Sequence, residues 1–178
     1  MIVKFDKLFE NKDELRNIDM KDPFYVAACA VNIMCAYDPN YPDNFLEMLQ
    51  VLMGDVQPIT PYLKQNIKDR MTSNNKWLYI GKSYFKGAIP ENDYTPSVPY
   101  EVEVSENSHS RDNPSLLKLF ITNGGTSSPR PITLRMLKDG RWLLEEKYVV
   151  TAFDTGVYVV PPQPITIESQ EYNNIVRT

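Results

Sequence analysis

The stretch that decides the fold is Asp22-Pro23-Phe24-Tyr25-Val26-Ala27-Ala28-Cys29-Ala30-Val31-Asn32-Ile33-Met34-Cys35-Ala36. It opens with a carboxylate that can cap a helix, followed by a proline suited to the first helical position. Beyond the proline it is apolar around nearly the whole helix circumference, and such a helix is buried on every side. The sequence therefore predicts a central core helix that ends before Asp38-Pro39.

Two more helices are predicted after this one. Tyr41-Pro42-Asp43 begins a helix with an apolar stripe that ends at Gly54, a residue suited to C-terminal capping. Thr60-Pro61 begins another, with apolar residues at four-residue spacing. A short helix over residues 8–18 precedes all three. The first two fifths of the chain thus indicate helical structure.

From Trp77 onward the chain is rich in β-branched and aromatic residues, which favour strands. We expect strands at 78–85, 100–104, 116–122, 132–137 and 142–150, and an edge pair at 157–160 and 165–167. Helices followed by strands predict an α+β fold, with N-terminal helices packed on a curved antiparallel sheet. We expect one domain over residues 1–178, with 151–178 as a C-terminal tail or edge hairpin.

Lys138-Asp139-Gly140-Arg141 gives the strongest local signal, since Asp-Gly between apolar strands favours a two-residue type I′ hairpin turn. The resulting register places Arg135, Trp142 and Glu146 on one face and Met136 with Leu143 on the other. Both faces then carry apolar groups. We therefore expect one face to meet the helices and the other to line a concavity or a partner surface. Arg135 with Glu146 is either a plain surface ion pair or part of a pocket.

Composition and motifs exclude several chemistries. His109 is the single histidine and lies in a polar loop, where we expect it to be solvated; Cys29 and Cys35 should be reduced thiols on different faces of the core helix. Zinc sites of Cys and His are thereby excluded, and we expect no metal, no cofactor and no catalytic residue. Gly124-Gly125 leads into a polar loop, not a helix, so it does not predict a phosphate site.

Charge and hydropathy bear on partners and location. The net charge is -4 and the pI is about 5.1, without a basic cluster, which argues against nucleic-acid binding. The longest apolar run is too short to span a bilayer. The N-terminus lacks the apolar core of a secretion signal. We expect a cytoplasmic protein without a membrane partner.

Two long motifs carry a resemblance: Ser83-Tyr84-Phe85-Lys86-Gly87-Ala88-Ile89-Pro90-Glu91-Asn92-Asp93-Tyr94-Thr95-Pro96-Ser97 and Ser128-Pro129-Arg130-Pro131-Ile132-Thr133-Leu134-Arg135. With the pattern Trp142-x-Leu144-x-Glu146, they resemble an uncharacterised bacterial family, a domain of unknown function common in anaerobic gut bacteria. The resemblance covers about residues 20–150 and implies no reaction. The order of elements is also similar to the cone-shaped nuclear-transport-factor-like or cystatin-like folds, which hold ligands or form dimers.

The leading hypothesis is a non-catalytic module that binds a small molecule or a protein through the sheet face opposite the main core. The candidate residues of this pocket or interface are Arg135, Trp142, Glu146, Tyr84, Tyr94 and Arg130. The alternative is a cofactor-free enzyme of the cone-shaped fold that uses Arg135, Glu146 and a tyrosine. A homodimer is compatible with both.

Overall fold

The computed structural model describes residues 1–145, and all structural statements below concern that part of the chain. Three helices, α1 (Pro23–Met34), α2 (Pro42–Met53) and α3 (Pro61–Thr72), combine with five strands, β1 (Ile2–Phe5), β2 (Tyr100–Ser105), β3 (Leu116–Ile121), β4 (Arg130–Met136) and β5 (Trp142–Leu144). The strands form one antiparallel sheet in the order β1-β2-β3-β4-β5, curled into a half-barrel. The predicted α+β class is confirmed. The narrower likeness to the cone-shaped folds stays a prediction.

Helix α1 is the centre of the core, as predicted. The Asp22 carboxylate accepts hydrogen bonds from the backbone N–H groups of Phe24 (2.9 Å) and Tyr25 (3.2 Å), which caps the helix. Every residue from 26 to 34 is buried, and α1 contacts all five strands. Both cysteines are free, as expected, and burial raises the pKa of the Cys29 thiol, which keeps it protonated and inert.

Asn32, the one polar side chain among residues 26–34 of α1, ties the N-terminal segment to the core. Its buried side-chain oxygen accepts the N–H of Phe9 at 2.8 Å, and its amide donates to the Lys7 carbonyl at 3.4 Å. A buried amide needs such partners. The segment before α1 differs from the prediction in two ways: a 3₁₀ turn at Lys12–Leu15 is present in place of the helix expected over 8–18, and the strand β1, which was not predicted, precedes it.

Helices α2 and α3 begin at the predicted prolines. Gly54, with a φ of 74°, ends α2, and the Thr60 hydroxyl accepts the N–H of Leu63 at 3.1 Å to cap α3. Each helix buries one apolar stripe. The chemistry of the caps and the spacing of the apolar residues therefore sufficed to place both elements.

The predicted strand at 78–85 is wrong. Short 3₁₀ turns occupy Ser73–Leu78 and Lys82–Tyr84, and Asn74 and Asn75 adopt positive φ, which ends α3 without starting a strand. The apolar residues of this segment anchor a compact loop whose backbone N–H groups bond locally, for example Ile80 to the Lys76 carbonyl at 2.8 Å. Propensity for strands was overridden here by burial in an irregular segment.

The motif at 83–97 fills a gap in the sheet. Strands β2 and β3 pair at Val104 with Ile121 and at Ser105 with Phe120, and then separate. Toward the N-terminal end of β2, the motif replaces β3 as the neighbour of this strand, and Phe85 forms a bridge with Val102. The motif therefore lies between β2 and the residues that follow β3, where the two strands separate.

The register of the β4–β5 hairpin differs from the predicted one. Gly140 has a φ of 87° but Asp139 does not have a positive φ, and Leu137 accepts the Gly140 N–H at 3.0 Å while donating to the Arg141 carbonyl at 2.8 Å. This is a three-residue loop with glycine in the left-handed position, not a type I′ turn. The Asp139 carboxylate accepts the Arg141 N–H at 3.1 Å, which stabilises this loop.

The register consequently moves by one residue. Met136 pairs with Trp142, Arg135 with Leu143 and Leu134 with Leu144, so Arg135 and Trp142 lie on opposite faces. The prediction that they share a face is wrong, as is the pairing of Met136 with Leu143. Strand β5 ends at Leu144, and Glu146, the rest of the strand expected at 142–150, and the pair at 157–160 and 165–167 lie outside the described residues.

Alternation along β3 and β4 separates two faces. One face contributes to the core that surrounds α1, through Leu117, Leu119, Ile121, Ile132 and Leu134. The opposite face, called the outer face from here on, carries Leu116, Lys118, Phe120, Pro131, Thr133 and Arg135. The second face of the sheet is thus polar and apolar in alternation.

Candidate functional site

A hollow of about 260 Å³ lies on the outer face of β3 and β4, bounded by the loop of residues 106–115 that connects β2 to β3. It is lined by His109, Ser110, Asp112, Asn113, Leu116, Lys118, Pro131 and Thr133. The strands supply the floor and the loop supplies a wall. The loop makes this part of the outer face concave, whereas the strands alone would form an open surface.

The loop is held in place by its own hydrogen bonds. The Lys118 N–H donates to the Ser110 carbonyl at 3.0 Å, and the Asn107 N–H donates to the buried Ser110 hydroxyl oxygen at 2.9 Å. The Arg111 guanidinium donates to both carboxylate oxygens of Glu106, at 3.1 and 2.6 Å. A bidentate pair of this kind has a fixed geometry. The wall of the hollow is therefore preformed.

His109 and Asp112 form a pair on this wall. The ring nitrogen Nδ1 of His109 lies 3.0 Å from Oδ2 of Asp112, and both side chains are exposed. The sequence predicted a solvated His109, and its side chain is indeed 79% exposed. Its position beside the hollow was not foreseen.

Lys118 supplies a positive charge to the hollow. Its ammonium lies 5.7 Å from the centre of the Phe120 ring, a cation–π contact that holds the side chain over the outer face. Among residues 1–145 no carboxylate lies within 4.0 Å of this ammonium. Thr133 pairs with Lys118 across the strands and is buried in the floor.

Arg135 binds a glutamate of the hairpin, but a different one from the predicted residue. Its Nε donates a short hydrogen bond to Glu145, which lies diagonally across the three-residue hairpin, and this bond raises the pKa of Arg135. The Glu145 side chain is 11% exposed and the Arg135 side chain 41%. Arg135 does not line the hollow, although its cross-strand neighbour Leu116 does.

Trp142 belongs to the other face of the hairpin. It pairs with Met136, its backbone N–H donates to the Met20 carbonyl at 2.7 Å, and its ring packs against the core. The segment around Met20 thereby covers the outer edge of β5. The predicted group of Arg135, Trp142 and Glu146 is not brought together by the described residues.

Tyr84 and Tyr94 are buried anchors of the loop that contains the first motif. The Tyr94 ring lies 5.9 Å from that of Tyr79, burial raises its pKa, and its hydroxyl has no hydrogen-bond partner in the described part of the chain. Arg130 begins β4 opposite Ile121 and is half-buried. These three candidates do not line the hollow.

Two further concavities lie elsewhere on the described part of the chain. A notch of about 210 Å³ lies beside the first motif, and a groove of about 270 Å³ lies between α2 and α3. Within residues 1–145 no group of three or more His, Cys, Asp or Glu side chains could hold a metal ion. No helix in that range is long and apolar enough to cross a membrane.

The fold and the hollow define a class of protein: an α+β domain with a preformed concavity on the outer face of its antiparallel sheet. The chain belongs to the family described as domain of unknown function (DUF6935), whose model matches residues 7–156. The resemblance to an uncharacterised family is therefore confirmed, and the match extends further toward the N-terminus than the motifs alone indicated. No match to the chain is found among the curated proteins or the solved structures.

Sequence reasoning missed Lys118, Thr133 and Asp112 as site residues. The signal was available in part, because Leu116, Lys118 and Phe120 alternate with the core residues of β3. What no local pattern indicates is the path of the loop at 106–115 across the outer face.

Proposed function

We propose that this protein is a binding module that holds a small polar molecule in the hollow on its outer face. The observation that carries the proposal is the loop at 106–115, fixed by its own hydrogen bonds, which turns a sheet face into a concavity of about 260 Å³. That volume is a little under the range of about 300–1,000 Å³ common for drug-sized ligands. A small ligand fits it best.

A protein partner is less well supported at this face. The apolar residues there, Leu116 and Phe120, are half-buried, and charged or polar side chains separate them. Protein interfaces have an apolar centre with aromatic anchors. The outer face of β3 offers a walled hollow with polar groups, which favours a small molecule.

The alternative of a cofactor-free enzyme requires Arg135, Glu146 and a tyrosine to converge. The guanidinium of Arg135 is bound to Glu145, and the Tyr94 hydroxyl is buried away from solvent. The Ser110 hydroxyl oxygen accepts the Asn107 N–H, while His109 is paired with Asp112. Within residues 1–145 no hydroxyl or thiol group is hydrogen-bonded to the His109 ring, so the pair of His109 and Asp112 has no nucleophile to activate, which favours a binding role for the hollow.

The test is an NMR titration of the full chain with a panel of neutral, cationic and anionic fragments. We expect shifts that cluster on backbone amides of residues 109–113, 115–118 and 132–133. Leu116→Trp should fill the hollow and abolish them, and Asn113→Trp provides a second obstruction from an exposed wall position. Met136→Trp, at an exposed position outside the hollow, is the matched control.

Two results would overturn the proposal. One is a panel in which no fragment shifts these amides. The other is a set of shifts that persists in both tryptophan variants of the hollow, since the fragments would then bind elsewhere.

A further inference from the structure

Two charged side chains that line the hollow have no oppositely charged neighbour among residues 1–145 when His109 is neutral: the ammonium of Lys118 and the carboxylate of Asp112. The charges next to the hollow are paired. Arg111 is bound to Glu106, and Arg135 is bound to Glu145. Lys118 has the Phe120 ring as its contact, and within residues 1–145 no carboxylate lies within 4.0 Å of its ammonium. An ammonium at a concave surface, with no carboxylate within 4.0 Å among residues 1–145, attracts an anionic group.

The pair of His109 and Asp112 adds a second polar requirement. A carboxylate only accepts hydrogen bonds, so the proton of a neutral His109 ring must be on Nδ1, which lies 3.0 Å from Asp112. The other ring nitrogen, Nε2, then has a lone pair and no proton. It can accept a hydrogen bond from a hydroxyl group of a ligand.

The remaining lining residues limit the size and shape of the ligand. Leu116 and Pro131 give the floor an apolar patch, and Thr133 adds a hydroxyl beside it. Lys118 and His109 line the same hollow as this patch, so a ligand with a short hydrocarbon and two polar groups can contact all three.

We infer that the ligand of the hollow is a small hydroxycarboxylate, whose carboxylate binds the ammonium of Lys118 and whose hydroxyl donates to Nε2 of His109. This inference rests on the proposed function, since it names the ligand class of the same site. Asp112 is a positioning residue in it, because it acts by fixing the ring tautomer of His109. An exposed pair such as this contributes little to stability, so its effect lies in ligand orientation.

The experiment compares four probes of similar size by NMR titration: lactate, propionate, propane-1,2-diol and alanine. Ligands with so few heavy atoms bind with dissociation constants of about 1 μM or weaker, so the titration extends into the millimolar range. We expect lactate to bind more tightly than propionate, and propionate more tightly than the diol. Lys118→Met should weaken lactate binding about tenfold or more, while Lys138→Met, on the hairpin loop, leaves it unchanged.

The single histidine of the chain makes the second step unambiguous, because the ring nitrogen signals belong to His109 alone. In the native protein they should report a proton on Nδ1. Asp112→Asn should redistribute the proton between the two nitrogens and bring the affinity for lactate down to that for propionate. The affinity for propionate, which lacks the hydroxyl, should not fall, because the substitution also removes a negative charge from the wall of the hollow.

The outcomes separate the inference from the proposed function. Tighter binding of the diol than of propionate would overturn the assignment of an anionic ligand while the hollow remains a binding site. Tighter binding of alanine than of lactate would indicate an amino-acid ligand and overturn the hydroxyl assignment. If no probe and no fragment of the wider panel shifts the amides of the hollow, both proposals fail together.

Discussion

Gly124→Ala tests the packing of the first motif against the loop after β3. A Cβ built on Gly124 lies 1.9 Å from the carbonyl oxygen of Ala88, whereas real Cβ atoms essentially never approach closer than 3.0 Å. The two backbones must therefore separate by about 1 Å. That movement also strains the bond from the Gly124 N–H to the Ser83 carbonyl (2.8 Å) and the bond from the Asn123 amide to the Ser83 hydroxyl (2.7 Å).

The expected cost follows from these contacts. Overpacking costs about 1–3 kcal/mol and two weakened hydrogen bonds about 1 kcal/mol each, so the free energy of unfolding should fall by about 3–5 kcal/mol. For a chain of this size the midpoint of thermal unfolding then drops by about 6–20 °C. Calorimetry or circular dichroism measures both quantities.

Gly87→Ala is the matched control within the same motif. Gly87 has a φ of 84°, and a Cβ there would meet no heavy atom within 4 Å. Its replacement costs the strain of a left-handed residue, about 1–2 kcal/mol. If Gly124→Ala costs no more than Gly87→Ala, the close approach of the two loops is refuted.

Two further predictions concern charged pairs. A double-mutant cycle with Arg135→Met and Glu145→Gln should give a coupling energy of about 1–2 kcal/mol in urea unfolding, because the pair is half-buried and charge-assisted; coupling of Arg135 to Glu146 instead would contradict the three-residue loop. The hydrogen bond from Lys4 holds the pKa of Glu101 below its ordinary value of 4.5. A carboxyl group whose pKa is lower in the folded than in the unfolded state stabilises the fold above the ordinary value of 4.5, and this stabilisation is lost as the pH falls from 4.5 through the lowered pKa. Glu101→Gln should therefore make the free energy of unfolding depend less on pH in acid. An unchanged acid profile would refute the role.

The helical half of the fold could be predicted because its signals are local. Asp22-Pro23, Tyr41-Pro42 and Thr60-Pro61 each place a capping position before a proline, and each begins a helix in the structure. The strands β2 to β5 also follow from composition and spacing. β1 was missed because a four-residue strand depends on its partner β2 and carries no turn signal of its own.

The segment after α3 shows where such reasoning ends. Residues 78–85 have a strand-like composition, yet their apolar groups anchor a loop that wedges between β2 and β3. The sheet opens there because β2 and β3 share two residue pairs and then separate. No property of the segment itself indicates that opening, since it depends on the path of two distant strands.

The candidate site in the structure differs from the predicted one for a related reason. Asp139-Gly140 was a sound turn signal, but both a two-residue and a three-residue loop use glycine at a positive φ, and composition does not separate them. A change of one residue exchanges the faces of β5, so Arg135 meets Glu145 and turns away from Trp142. The hollow escapes this ambiguity, because its strand residues come from β3 and β4, whose register is set by six consecutive pairs, and its wall comes from a loop that β3 itself fixes through Lys118 and Ser110. The proposed ligand site therefore does not depend on the register of the hairpin, and the roles proposed for Lys118 and His109 are independent of how β5 pairs with β4.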